Sequence, residues 1–182
     1  MKEFLKRGGW VFLAVLFIVT ALGVGIYAFV VNTHPSSPNS NYISCAKETV
    51  GQQKPGKDDK YQGAQLVGFT PVKHVGYVQC QDIKVGTGAT ATASSTVTAT
   101  YTGALAATGQ IFQSSLDTGQ PVQFQLTGVI PGWTAGVPGM KVGGERRLLI
   151  PAKYAYAANP PQGSGIPPNA DLVFDITLLA VK

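Results

Sequence analysis

Hydrophobic and polar positions change rhythm along the 182-residue chain. Residues 10–31 are an uncharged run of mostly Val, Leu, Phe, Ile, Ala and Gly, long enough as a helix to cross ~30 Å of hydrocarbon. Residues 32–41 are small, polar and proline-bearing, which suits an extended tether. From residue 82 onward, short alternating runs are separated by Gly, Thr and Pro, the signature of a mostly β fold. Val97, Ala99 and Tyr101 share one strand face, with Thr96, Thr98 and Thr100 on the other. Leu172, Phe174, Ile176 and Leu178 alternate with Val173, Asp175, Thr177 and Leu179, a final strand apolar enough to be central. Residues 146–150 supply another strand. Helical spacing occurs once: Trp133, Val137 and Met140 recur at i, i+4 and i+7 behind Pro131-Gly132, and Pro138 keeps that helix short. The expected architecture is α+β, a curved antiparallel β-sheet wrapped around one short α-helix and preceded by a single transmembrane helix.

Between tether and sheet lies an extension, residues 42–81, with a polar, lysine-rich middle at 52–62. Its two apolar runs, 64–69 and 75–80, read as strands joined by a turn around 71–74. The expected segments are thus 1–9 cytoplasmic, 10–31 transmembrane, 32–41 tether, 42–81 extension and 82–182 the main domain.

Charge orients this arrangement more than it suggests a partner. Lys2, Lys6 and Arg7 precede the apolar run and no Lys or Arg follows until Lys47, which predicts a single-pass cell-membrane protein with a cytoplasmic amino end and an extracytoplasmic domain. A cleaved signal peptide is the competing reading, but the run exceeds a ~7–15-residue apolar core and lacks a small-x-small site. The formal charge of +5 is no nucleic-acid footprint, because the remaining lysines are mixed with acids. Arg146 and Arg147, adjacent on a strand, would point to opposite faces and read as solvated charge.

The two cysteines, Cys45 and Cys80, bracket the extension, and an exported location would let them pair. A bridge closing such a loop stabilises by roughly 3–4 kcal/mol in the chain-entropy picture. Two unrelated buried thiols are the alternative. His34 and His74 lie far apart with no metal-ligand spacing, so neither metal nor cofactor is expected. Ser114-Ser115 lacks a nucleophile-elbow context and reads as a hydrogen-bonding turn device. Gly86-Thr87-Gly88 and Gly143-Gly144 read as turns.

Seven motifs occur in order from residue 101: Y-T-G-A-L at Tyr101, F-Q-S-S at Phe112, V-I-P-G-W at Val129, G-M-K-V-G-G-E-R-R-L at Gly139, I-P-A-K-Y-A-Y at Ile150, I-P-P-N-A at Ile166 and L-V-F-D-I at Leu172. Together they make residues 82–182 resemble the FKBP-type peptidyl-prolyl cis-trans isomerases, or macrolide-binding immunophilins. The resemblance implies a substrate pocket between curved sheet and short helix, acting on proline-containing polypeptides and offering a site for macrolide ligands. Carried over residue by residue, it implies catalytic roles for Tyr101, Phe112, Trp133, Tyr156 and Phe174, with Trp133 as the floor under the prolyl ring. It implies substrate contacts at Val129, Ile130, Ile166, Gln113 and Val122, the Ile130 amide meeting a ligand carbonyl and the Tyr156 hydroxyl the bound peptide.

The chain departs from the family pattern at several of these places. Gln113 stands where aspartate is usual and Thr118 where arginine is often found, replacing a charged network by neutral groups and implying reduced activity. Val122 occupies a frequently aromatic position, thinning one wall, and Ala157 replaces the usual glycine. The implied function is a membrane-anchored prolyl isomerase that assists folding of exported chains. The alternative is a proline-peptide-binding or chaperone module using the same pocket without turnover.

Overall fold

The computed structural model describes residues 44–47 and 61–182. The segments 1–9, 10–31 and 32–41, and residues 42–43 and 48–60 of the extension, lie outside the described residues. Among the described residues no helix is long and apolar enough to cross a membrane.

The described residues form seven strands, β1 (Ser44–Lys47), β2 (Gln79–Lys84), β3 (Thr96–Leu105), β4 (Ile111–Ser114), β5 (Val122–Gln125), β6 (Glu145–Ile150) and β7 (Leu172–Val181). They form one sheet in the order β1-β2-β6-β7-β3-β4, with β5 also paired to β3. The pairings are antiparallel except β1 with β2, which is parallel. β7 is central, between β6 and β3, and is buried on both faces over most of its length, as its double alternation of apolar residues predicts. Register shifts interrupt the β2–β6, β3–β4 and β3–β7 ladders, and such bulges bend and twist the strands that carry them.

The helix, α1 (Pro131–Gly136), begins with proline at its first turn, where the missing N–H is not needed. It ends sooner than the apolar spacing predicts: Val137 is the C-cap and Met140 lies in the turn beyond Pro138, although both remain buried. Gly132 and Gly136 let it approach β6. A Cβ on Gly132 would collide with Ile150, and one on Gly136 would lie 2.8 Å from Leu148.

Each face of the sheet has its own core. Val97, Ala99, Leu148, Ile150, Leu172, Phe174, Ile176 and Leu178 pack toward Trp133, Val137 and Met140. On the other side Ala104, Ile111 and Val173 pack against Leu66, flanked by Tyr61, Ala64 and Phe69. The extension therefore covers the face opposite the helix. Its apolar runs are not the predicted strand pair: within 64–69 only Gln65 makes a β-bridge, to Gln110, and the strand begins at Gln79 rather than at Val75. The physical reason is that the first run meets the sheet edge by isolated bonds instead of a ladder, Ile111 N–H donating to Ala64 C=O and Leu66 N–H to Gly109 C=O, both at 2.8 Å; beyond the run, Val72 N–H donates to Ala106 C=O at 2.9 Å.

The arginine pair also corrects its expectation. Arg146 and Arg147 do face opposite sides of β6, but both are buried, at 5% and 6% exposure. Arg146 donates through Nε and Nη2 to Asp82 at 2.6 and 3.1 Å and through Nη1 to Gly136 C=O at 2.8 Å, satisfying the end of α1. Arg147 donates to Asp175 at 2.7 and 2.8 Å, and to Gly68 and Val67 carbonyls at 2.7 and 3.1 Å. Its guanidinium also lies 5.5 Å from the Phe69 ring centroid. Cys45 stands opposite Cys80 in the β1–β2 register, and Cys80 is disulfide-bonded.

Candidate active site

The aromatic site starts from a gap in the sheet. Along β3, residues 96–99 pair with β5 and residues 102–104 with β4, leaving the backbone around Tyr101 without a strand on that side. A buried backbone amide must be satisfied. Ser115 does this: its Oγ accepts from Tyr101 N–H at 2.9 Å and donates to Tyr101 C=O at 3.3 Å. Ser114 Oγ adds a bond to the same carbonyl at 3.3 Å and sits 2.8 Å from Thr102 Oγ1. The two serines are thus the turn device expected from sequence, and their effect is to fix the direction of Tyr101.

Trp133, held in α1 by its N–H donating to Ile130 C=O at 2.9 Å, lies under this point. Tyr101 and Phe174 stand almost perpendicular to the indole, both with ring centroids at 5.5 Å and with interplanar angles of 86° and 87°. Phe112 in turn stands at 85° to Phe174, 5.8 Å away. This is a flat base with upright sides, built from edge-to-face contacts that favour aromatic quadrupoles. Gly103 makes the corner possible, because a Cβ there would lie 2.6 Å from Phe112 Cζ and 2.8 Å from Phe174 Cε1.

Tyr101, Phe112, Val129, Ile130, Trp133, Tyr156, Ile166 and Phe174 all belong to the helix-side cluster. Trp133 is buried, at 4% exposure, while Tyr101, Val129, Ile130 and Tyr156, packed against the same cluster, are half-buried. Ile166 is brought in by the proline-rich loop, where its N–H donates to Ser164 Oγ at 3.3 Å. Val122 and Gln113 stay outside this cluster: Val122 is half-buried on β5 opposite Ala99, and Gln113 is exposed on β4. Thr118 hydroxyl donates to Ser115 C=O at 2.9 Å, a bond local to its own turn.

Phe124, which sequence reading passed over, fills the side that Val122 leaves thin. Its ring lies 5.1 Å from Trp133 and 5.7 Å from Tyr101. The signal was present in the alternation of Val122 and Phe124 with the exposed Gln123 and Gln125.

Burial first, and the nearby Tyr156 second, push the Tyr101 phenol above its ordinary value of 10.0, so it stays protonated and able to donate. The site therefore offers the Tyr101 phenol hydroxyl over an apolar base. Among the described residues no cluster of His, Cys, Asp or Glu could hold a metal ion.

The sequence profile described as FKBP-type peptidyl-prolyl cis-trans isomerase matches residues 88–179, half of the chain. FkpA of Aeromonas hydrophila, an FKBP-type peptidyl-prolyl cis-trans isomerase by name, is 42% identical over 137 residues, covering 75% of this chain and 49% of that protein. A probable FK506-binding protein of Corynebacterium glutamicum is 49% identical over 100 residues, covering 54% of this chain and 82% of the relative. In three dimensions, the crystal structure of FkpA from Escherichia coli matches with a TM-score of 0.53 at 43% identity, covering 58% of this chain and 48% of that one. The crystal structure of AtFKBP13 matches with a TM-score of 0.53 at 33% identity, covering 60% of this chain and 96% of that one. The chain spans about half the length of the Aeromonas relative. With its ordered motifs folded onto one indole and its second half matched by the profile, this chain belongs to the FKBP-type peptidyl-prolyl cis-trans isomerases.

Proposed function

We propose that the chain catalyses cis-trans exchange of X-Pro bonds in exported polypeptides, from a domain tethered outside a cell membrane. The observation that carries the catalytic reading is the indole base with perpendicular Tyr101 and Phe174 rings, an apolar seat without histidine or cysteine. An amide resists rotation because resonance gives its C–N bond partial double character, with a barrier of about 18–20 kcal/mol. The twisted transition state separates less charge than either planar isomer, so removing water favours the twist and needs no proton shuttle. A thousandfold acceleration corresponds to about 4 kcal/mol of differential stabilisation.

In this reading Trp133 supports the prolyl ring, Tyr101, Phe112 and Phe174 form the walls, and Val129 and Ile166 close the apolar contact. The Ile130 amide and Tyr156 hydroxyl meet peptide carbonyls, while Val122 and Gln113 contact the flanking chain. A protease-free prolyl peptide assay tests it: measurable turnover that falls several-fold in Tyr156→Phe supports the reading, at roughly the worth of one hydrogen bond. Turnover equal to the uncatalysed background rejects it. Because relatives carry the name FK506-binding protein, we extend the proposal to macrolide ligands in the same seat.

A second reading, binding without turnover, is favoured by one observation. Gln113 is exposed and Thr118 bonds only within its turn, so no charged network backs Tyr101. Saturable peptide binding with no exchange would select it.

The membrane anchor rests on the uncharged run at 10–31 and the Lys2, Lys6 and Arg7 flank. Protease protection of the amino end alone in sealed vesicles is its test. We further assign Cys45 as the partner of Cys80, supported by their alignment in register. Two free thiols in the unreduced, denatured protein would remove that assignment.

A further inference from the structure

The loop that carries Tyr156 and Ile166 runs from residue 151 to 171, and one carboxylate touches both of its roots. Asp171 Oδ1 accepts from Ala152 N–H at 2.8 Å, at the start of the loop. Asp171 itself is the end of the loop, and its own C=O accepts from Ala106 N–H at 2.9 Å. Its second oxygen, Oδ2, accepts from Val75 N–H of the extension at 2.7 Å, with His74 Nδ1 3.2 Å away. Within the loop, Ala157 N–H donates to Ala152 C=O at 2.9 Å and Asn169 N–H to Ala157 C=O at 2.7 Å. A displacement at the roots is therefore transmitted to the residues beside Tyr156.

Two carboxylate bonds are stronger than neutral ones, and each N–H here is satisfied by a charge. We infer that Asp171 is a positioning residue for the proline seat: it clasps the Tyr156–Ile166 loop at both ends and hangs that clasp on the extension through Val75. The extension thereby sets the loop's geometry through its own backbone at Val75. The inference rests on the proposed use of that loop in substrate binding.

Asp171→Asn keeps the shape but leaves one of the two N–H donors facing an amide NH2. The expected result is a KM for prolyl peptide raised about threefold to tenfold, the worth of about one hydrogen bond, with kcat within about twofold because the Trp133 base is untouched. Amide hydrogen exchange across residues 152–170 should accelerate by a similar factor while that of Val137 and Met140 does not change. The exposed neighbour variant Lys73→Ala should alter neither readout. A folded Asp171→Asn protein with unchanged exchange in 152–170, or with equal losses in kcat and KM terms, overturns the inference. If the variant does not fold, the wild-type protein decides: Val75 and Ala152 amides must be protected and open together with the loop, and unprotected exchange at either one contradicts the clasp. The exchange readout stands even if the peptide assay shows no turnover, so the two proposals fail separately.

Discussion

The two faces of the sheet are closed by different physics. The helix face is held chiefly by shape: α1 lies against β6 through Gly132 and Gly136, rings stand on Trp133 at nearly right angles, and one charge, Arg146, ties the end of α1 to Asp82. The extension face is held by charge on backbone: Arg147, Asp117 and Asp171 reach loop carbonyls and amides over a small aliphatic core. A shaped cavity for a ligand requires a rigid, water-poor surround, which ring and methyl packing provides. The run at 64–69, with a single β-bridge, has no such packing to offer, so ion-assisted bonds to backbone take that role.

Adjacent arginines test the contrast most strongly. Arg147→Ala leaves Asp175 buried without its guanidinium and the Gly68 and Val67 carbonyls without a donor, and is expected to lower stability by about 3–5 kcal/mol in chemical denaturation. Arg146→Ala is expected to cost less, because its Asp82 partner is 24% exposed and water can replace the donor lost there, leaving the Gly136 carbonyl as the main buried loss. Equal losses would mean that charge holds both faces alike.

On the helix face the sensitive quantity is volume. Gly103→Ala puts a methyl within 3 Å of Phe112 and Phe174, and overpacking of this kind costs about 1–3 kcal/mol. Thermal denaturation should show that loss, together with weakened prolyl-peptide binding as the walls move. Unchanged affinity would detach those rings from the seat.

Smaller effects sharpen the picture at the loop. Ala157 has φ +49°, a left-handed conformation that disfavours a side chain by about 1–2 kcal/mol. Ala157→Gly relieves it but adds freedom to the unfolded chain, so a net gain of about 0.5–1 kcal/mol is expected by thermal denaturation. The smallest effect is invisible at neutral pH. Below pH 10.0 the Tyr101 phenol is neutral in both states; above it the unfolded chain deprotonates first, so stability falls as pH rises toward the raised folded value. Tyr101→Phe should remove that alkaline slope.

Much of the helix side could be read from the chain because its signals are local. The alternation at 172–179 and the Pro131-Gly132-Trp133 start each lie within one element, and the structure puts eight of the expected site residues in one cluster. The extension side resisted because its partners are remote: Arg147 finds Asp175 28 residues away and Gly68 79 residues away. Nothing in a strand pattern distinguishes such a buried arginine from a solvated one. Gly103 was legible as a motif letter but not as a close approach, since the rings it admits come from β4 and β7. Phe124 was passed over for Val122 although both lie on the same alternating face of β5.

The central claim is that a dry indole seat eases rotation about an X-Pro bond. NMR exchange spectroscopy on a short X-Pro peptide with the whole chain reports binding and turnover together. Cis-trans cross-peaks are expected to grow with protein and saturate with peptide, and to fall at least tenfold, about 1.4 kcal/mol, in a folded Trp133→Ala variant. Exchange that persists undiminished in that variant, or peptide binding without exchange in the wild type, would contradict it.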